Sequence, residues 1–142
     1  MATFSEMLKR FQSFDPIKSA GDAMLSNKEQ IIGINQEMLF EEGKNVVGDK
    51  LAPYRSLDYA QYKYDRRGRY ITDLYDTGST YAKMNLRVEG NEYEINSSDE
   101  KAYGLVQKYG KIFGLNEIGK TETWKIIQPD FVYNFKQVTQ TI

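Results

Sequence analysis

The chain has 142 residues, with 19 Lys and Arg against 20 Asp and Glu for a formal net charge of -1, and it contains neither Cys nor His. The charge balance gives no global pull toward nucleic acid or an anionic membrane. The missing residue types remove thiol nucleophiles, Cys/His zinc sites, the Ser-His-Asp triad and the usual general base near neutral pH.

With 40% hydrophobic and 27% charged residues, the sequence reads as one globular domain over 1–142, able to bury a core without disulfides or metal. The first twelve residues include Glu6, Lys9 and Arg10 and show no apolar run of signal-peptide length. No stretch approaches the ~20 apolar residues of a membrane span. A soluble protein not exported by a cleaved signal is the expectation.

Residues 1–50 read as a helical arm. Phe4, Met7, Leu8 and Phe11 follow one helical face. Asp15-Pro16 marks a restart, with Asp15 as N-cap and Pro16 in the first helical position. Asn27 followed by Gln30 resembles a capping box. It opens a helix with Ile31, Ile34, Met38 and Leu39 inside, Glu37, Glu41 and Glu42 outside, and Gly43 or Gly48 at its end.

Residues 51–70 have no clear periodicity. They hold Pro53, many Tyr, and Lys63, Arg66, Arg67 and Arg69 around Gly68, and they read as a long exposed loop.

Residues 71–142 read as an α+β core. Thr80 to Val88 alternates as a strand, and Gly90-Asn91 is a two-residue hairpin turn. The register sets Glu89 against Glu92, Val88 against Tyr93 and Leu86 against Ile95 on the buried face, with Arg87 opposite Glu94 outside. Ser97-Ser98-Asp99-Glu100 reads as a capping box for a helix with Ala102, Leu105, Val106 and Tyr109 inward and a stop at Gly110. Thr123 to Ile127 reads as a short strand. Pro129 opens a final helix carrying Phe131, Phe135, Val138 and Ile142 on one face. The predicted fold is therefore α+β: N-terminal helices, a small antiparallel sheet with a Gly-Asn hairpin, and two flanking C-terminal helices.

Asp76-Thr77-Gly78-Ser79 is the one catalytic-looking stretch. A retroviral-type aspartic protease places Asp-Thr-Gly after an apolar strand, and two such carboxylates from a homodimer share a proton. Ile112-Phe113-Gly114-Leu115-Asn116 even resembles the later apolar-Gly motif of that family. Yet Ile71-Thr72-Asp73-Leu74-Tyr75 is polar where that fold buries a strand, and the upstream chain reads as helical. The tripeptide is expected to be a turn in a non-enzymatic protein.

The Tyr/Arg-rich loop has side chains suited to nucleic acid, but Asp58 and Asp65 interrupt it, and a protein-binding loop is the simpler reading. Asp73, Asp76, Asp99 and Glu100 match no calcium loop. No catalytic residue, cofactor or metal site is expected. The expected protein contacts are Tyr54, Tyr59, Tyr62, Tyr64, Arg66, Arg67 and Arg69.

Several motifs of the second half follow one another in order. They are Leu74-x-Asp-Thr-Gly-Ser-x-Tyr81, the hairpin, Ser97-Ser98-Asp99-x-Lys101, Leu105-x-x-x-Tyr109-Gly110, Ile112-Phe113-Gly114-Leu115 and Pro129-Asp130-Phe131. Over residues 51–142 this resembles a group of tailed-bacteriophage virion proteins, and more distantly it is similar to the tail-completion and head–tail connector proteins of long-tailed phages. Lys108-Tyr109-Gly110-Lys111 stands where the wider connector pattern has Glu-Phe-Gly-Thr. The resemblance implies a structural subunit at the neck or tail of the virion, assembled in the host bacterial cytoplasm. It also implies a homo-oligomeric ring that contacts portal, connector or tail proteins, with DNA in a channel as a further contact and no membrane partner.

Overall fold

Two side-chain caps set the entry into the fold. Thr3 Oγ1 accepts from the Glu6 N–H at 3.2 Å while the Glu6 carboxylate accepts from the Thr3 N–H at 3.0 Å, a reciprocal capping box that starts helix α1, Phe4–Ser13. Asp15 Oδ1 accepts from the Lys18 N–H at 3.0 Å and Pro16 fills the first position of α2, Pro16–Ser26, as expected. The computed structural model describes residues 3–54, 57–67, 72–75 and 78–140.

Helix α3, Lys28–Phe40, follows directly, but Asn27 does not cap it. Its side-chain amide instead donates backward to the Ala23 carbonyl at 2.8 Å and across the molecule to Asp130 at 2.7 Å. The inner face of α3 is as read: Ile31, Met38 and Leu39 are buried and Glu37, Glu41 and Glu42 exposed. The helix ends at Phe40, ahead of Gly43.

The 1–50 segment is more than an arm. Ala23 and Met24 of α2 and Ile31 and Ile32 of α3 form the main core, together with Met84, Leu86 and Ile95 of the hairpin. Gly21 allows the close approach of α2 to the sheet, since a Cβ there would lie 2.9 Å from Val88 Cγ1.

The hairpin forms in the predicted register. Strand β1, Met84–Glu89, pairs antiparallel with β2, Glu92–Ser97, with Leu86 opposite Ile95, Arg87 opposite Glu94 and Glu89 opposite Glu92. Arg87 Nη2 lies 2.8 Å from Glu94 Oε2 on the outer face. Two details differ. Thr80 to Ala82 are helical, part of a short turn that follows α4 (Leu57–Arg67) in the chain and is labelled α5, Ser79–Ala82. Tyr93, at 39% exposure, stays half open, lining with Ile17, Met24 and Val88 a cleft between α2 and the hairpin tip.

Beyond the hairpin, α6 spans Ala102–Tyr109 and ends at Gly110 as predicted, but Ser97 belongs to β2 and Lys101 occupies the N-cap. Val106 faces out rather than in.

The expected strand at 123–127 and the expected helix start at Pro129 both give way to one continuous helix, α7, Glu117–Gln140, with Pro129 inside it. Asn116 Oδ1 caps it by accepting from the Gly119 N–H at 2.8 Å. Its buried residues are Gly119, Thr123 and Ile127, spaced by four, so the inward stripe carries a single large apolar side chain, Ile127. Pro129 forgoes one helical hydrogen bond. Phe131 and Phe135 do share a face: Phe14 meets both edge-on at 5.5 and 5.1 Å, and Phe11 stacks on Phe135 at 5.9 Å. Val138 is 37% exposed, and Ile142 lies outside the described residues.

Candidate interaction surface on the fourth helix

The expected Tyr/Arg-rich loop is, in its centre, a helix: α4 spans Leu57–Arg67. Helix-favouring Ala60, Gln61, Lys63 and Arg66 run through a stretch free of Gly and Pro. Gln61 Nε2 donates to Asp65 Oδ1 at 2.9 Å, a one-turn pair on the outer surface.

What pins α4 is a charge. Lys63 is 3% exposed and Asp73 is fully buried, and their side chains meet at 2.8 Å. The Lys63 ammonium also donates to the Tyr75 carbonyl, and its Nζ lies 6.0 Å from the centre of the Tyr54 ring. Asp73 Oδ1 accepts from the Tyr75 N–H at 2.9 Å, and Tyr81 donates its hydroxyl proton to the Asp73 carbonyl. Between these residues Leu74 sits at φ +59°, the one described non-glycine residue with positive φ, a conformation that costs on the order of 1–3 kcal/mol. Burial, reinforced by the nearby Asp73 carboxylate, pushes the Tyr54 phenol well above its ordinary pKa. Residues 72–75 thus form a polar clasp that fixes α4 to the body.

The ring and guanidinium contacts define the face that α4 offers outward. Tyr54 packs edge-on against Tyr59 at 4.9 Å, Tyr59 stacks on Tyr62 at 5.9 Å, and Arg66 lies over Tyr62 at 5.3 Å while donating to its hydroxyl. Tyr59, Tyr62 and Arg66 follow the spacing of one helical stripe, and both tyrosines stay exposed, at 38% and 43%. Of the expected contact residues, Tyr54, Tyr59, Tyr62 and Arg66 therefore come together. Tyr64 is exposed at 39%, but two residues on from Tyr62 it points to the far side of the helix. Arg69 and the side chain of Arg67 lie outside the described residues.

Asp76 and Thr77 also lie outside the described residues. Gly78, which follows them, has φ +84° and is the N-cap of α5. The next two hydroxyls are held by Asp99: Ser79 Oγ donates to Oδ1 at 2.9 Å and Thr80 Oγ1 to Oδ2 at 2.6 Å. These bonds, the Thr80 one foremost, hold the Asp99 carboxyl below its usual range. A depressed folded pKa contributes stability above the ordinary carboxylate pKa, and that stability is lost as pH falls through the folded value. Asp99→Ala is therefore expected to shift the acid-unfolding midpoint toward higher pH, with little further loss once the pH lies below both pKa values. Circular dichroism across an acid titration measures this.

Among the described residues, no three Asp or Glu side chains converge as metal ligands, and no helix is long and apolar enough to cross a membrane. The Ile112–Leu115 stretch has a structural task. Fully buried Asn35 donates to the Ile112 carbonyl at 2.9 Å and accepts from the Gly114 N–H at 2.8 Å, clamping that segment to α3. A cleft of about 780 Å³ lies between α3 and the Tyr75 and Tyr81 side chains, walled by these two and Phe40 with Glu37 and Glu41 beside them. No protein-family model, curated protein or solved structure matches the chain.

Proposed function

We propose that the chain is a structural virion subunit of a tailed phage, acting at the head–tail neck or the tail end. There it joins copies of itself and neighbouring portal, connector or tail proteins into a ring. The observation that carries this reading is the Tyr59–Tyr62–Arg66 ridge, a row of exposed Tyr and Arg on a helix held by a buried ion pair. Such side chains dominate binding energy at protein interfaces because they bring large contact area at small entropic cost. The ordered motifs of residues 74–131 support the virion assignment. Several of them fall at joints of the fold: Gly78 opens α5, Tyr109-Gly110 ends α6, and Pro129-Asp130-Phe131 holds two residues that bind the N-terminal helices, Asp130 to Asn27 and Phe131 to Phe14.

The test is assembly. Light scattering and electron microscopy of the purified chain are expected to find closed rings, alone or with a portal or tail protein. Tyr62→Ala combined with Arg66→Ala is expected to weaken assembly at least ~tenfold, about 1.4 kcal/mol, without changing the far-ultraviolet circular dichroism. Tyr64→Ala, on the other side of α4, is expected to leave it intact. Unchanged assembly in the double variant removes the ridge from the interface.

A further inference from the structure

The cleft beside the end of α3 has the size of a ligand pocket and a one-sided chemistry. It measures about 780 Å³, within the ~300–1,000 Å³ usual for such sites. Three aromatic rings line it, and they stand nearly at right angles to one another. The angle is 80° between Phe40 and Tyr75, 79° between Phe40 and Tyr81, and 85° between Tyr75 and Tyr81. Tyr81 is buried and its hydroxyl donates to the Asp73 carbonyl, so its ring belongs to the inner wall. Apart from the two phenols, the polar side chains of the lining offer acceptors. Glu37 and Glu41 bring two carboxylates. Gln36 donates its amide N–H to the Tyr81 carbonyl at 3.0 Å and is left with its amide oxygen. Among the described residues, no Lys or Arg lines the cleft.

The two carboxylates stand where helix chemistry disfavours them. They are one turn apart, a like-charge spacing that destabilises a helix. They also lie at the C-terminal end of α3, where the macrodipole favours cations, yet α3 has no basic residue in its last turn. Glu37 forms no ion pair among the described residues. Local stability does not account for this placement. A cation arriving from outside does, because it gains from both carboxylates, from the helix end and from the ring faces at once.

We infer that the cleft receives an arginine side chain from a partner protein. A guanidinium is planar and carries five donors, so it lies against an aromatic face while its edge bonds the Glu37 and Glu41 carboxylates. A lysine ammonium answers the same charges without the planar face or the fork. The cleft is far larger than one guanidinium, so the chain flanking the arginine enters with it. The inference needs neither the α4 ridge nor a closed assembly, and it stands or falls separately from both.

The test is a titration of the purified chain with the peptide acetyl-Gly-Arg-Gly-amide, followed by amide NMR. Saturable shifts are expected at Gln36, Glu37, Phe40 and Tyr75, with none at the hairpin. The neutral peptide with citrulline in place of arginine is expected to bind at least ~tenfold more weakly. Glu37→Gln removes one of two like charges and breaks no ion pair, so it is expected to weaken the arginine peptide severalfold without lowering the thermal midpoint. Adding Glu41→Gln is expected to bring the loss to at least ~tenfold. Shifts that are absent, or scattered over the whole surface, overturn the inference. So does a citrulline peptide that binds as well, or binding that survives the double substitution. Free guanidinium ion binding as tightly as the peptide overturns the partner and assigns the cleft to a small cation.

Discussion

Lys63→Ala is expected to lower the free energy of unfolding by about 3–5 kcal/mol, a large part of the ~5–15 kcal/mol that holds a domain together. The loss does not come from the attraction between Lys63 and Asp73 alone, since desolvating both groups offsets much of that. It comes from leaving the Asp73 carboxylate buried without its counter-charge. Asp73 cannot turn to water, because its Oδ1 accepts from the Tyr75 N–H and its carbonyl accepts from Tyr81.

Replacing the pair together should cost less. In Lys63→Met with Asp73→Asn, the amide oxygen still accepts from Tyr75, and no charge remains buried. The double variant is expected to recover more than half of the single variant's loss, giving a strong coupling in a double-mutant cycle. Urea unfolding followed by tyrosine fluorescence measures Lys63→Ala, the double variant and its two component single variants, Lys63→Met and Asp73→Asn. A Lys63→Ala loss below about 1 kcal/mol would mean the clasp is not holding α4, within the usual range of exposed ion pairs. Because the clasp is a polar attachment outside the apolar core clusters, the α4 ridge should lose order before the core does.

Gly78→Val is expected to be at least as damaging. A β-branched residue at φ +84° is disfavoured by its own backbone, at a cost on the order of 1–3 kcal/mol before any contact is considered. The contact then adds to it: a Cβ on residue 78 would stand 2.7 Å from the Tyr75 hydroxyl oxygen and 3.0 Å from its Cζ. Tyr75 can give way only by leaving its edge-on packing against Phe40 at 5.4 Å and Tyr81 at 5.1 Å. The expected result is poor soluble yield, or a thermal midpoint lowered by many degrees, with assembly lost alongside. Asp76→Asn should cost far less, because the turn's geometry is demanded at Gly78. A chain in which Asp76→Asn removes a hydrolytic activity while Gly78→Val folds normally would reverse the assignment of this tripeptide from turn to active site.

How much of this was legible differs by element, for physical reasons. The hairpin was readable because three signals agreed: period-two alternation, a Gly-Asn turn, and Arg87 facing Glu94. The Asp15-Pro16 start was readable because capping is local chemistry. Helix α4 was not, since an apolar stripe is the usual signal for a helix and here the residue turned inward is Lys63. Its partner Asp73 is ten residues away in sequence, and nothing local announces their pairing. In α7, Thr123, Trp124, Ile126 and Ile127 have strand-like preferences, and the stripe of Gly119, Thr123 and Ile127 has only one large apolar side chain to mark it. Pro129 then suggested a helix start, where the fold instead absorbs it in mid-helix.

The candidate surface was half legible. Composition drew attention to the tyrosines and arginines, but only the helical turn separates Tyr59, Tyr62 and Arg66 from Tyr64. The cleft beside the hairpin tip needed the packing of α2 onto β1, which Gly21 permits and no local pattern reveals.

The way α7 closes the molecule bears on the order of events during synthesis. Asn27 reaches Asp130 across 103 residues and Ser19 reaches Asn134 across 115, while Phe11 and Phe14 rest on Phe131 and Phe135. A ribosome must therefore deliver α7 before α1 and α2 have the surface they lie on, and contacts of such long sequence separation form late. Until then α1 lacks the aromatic contacts that set its direction. α7 is thus the element on which α1 and α2 find their direction, and a chain that stops before Glu117 should leave both helices without that surface.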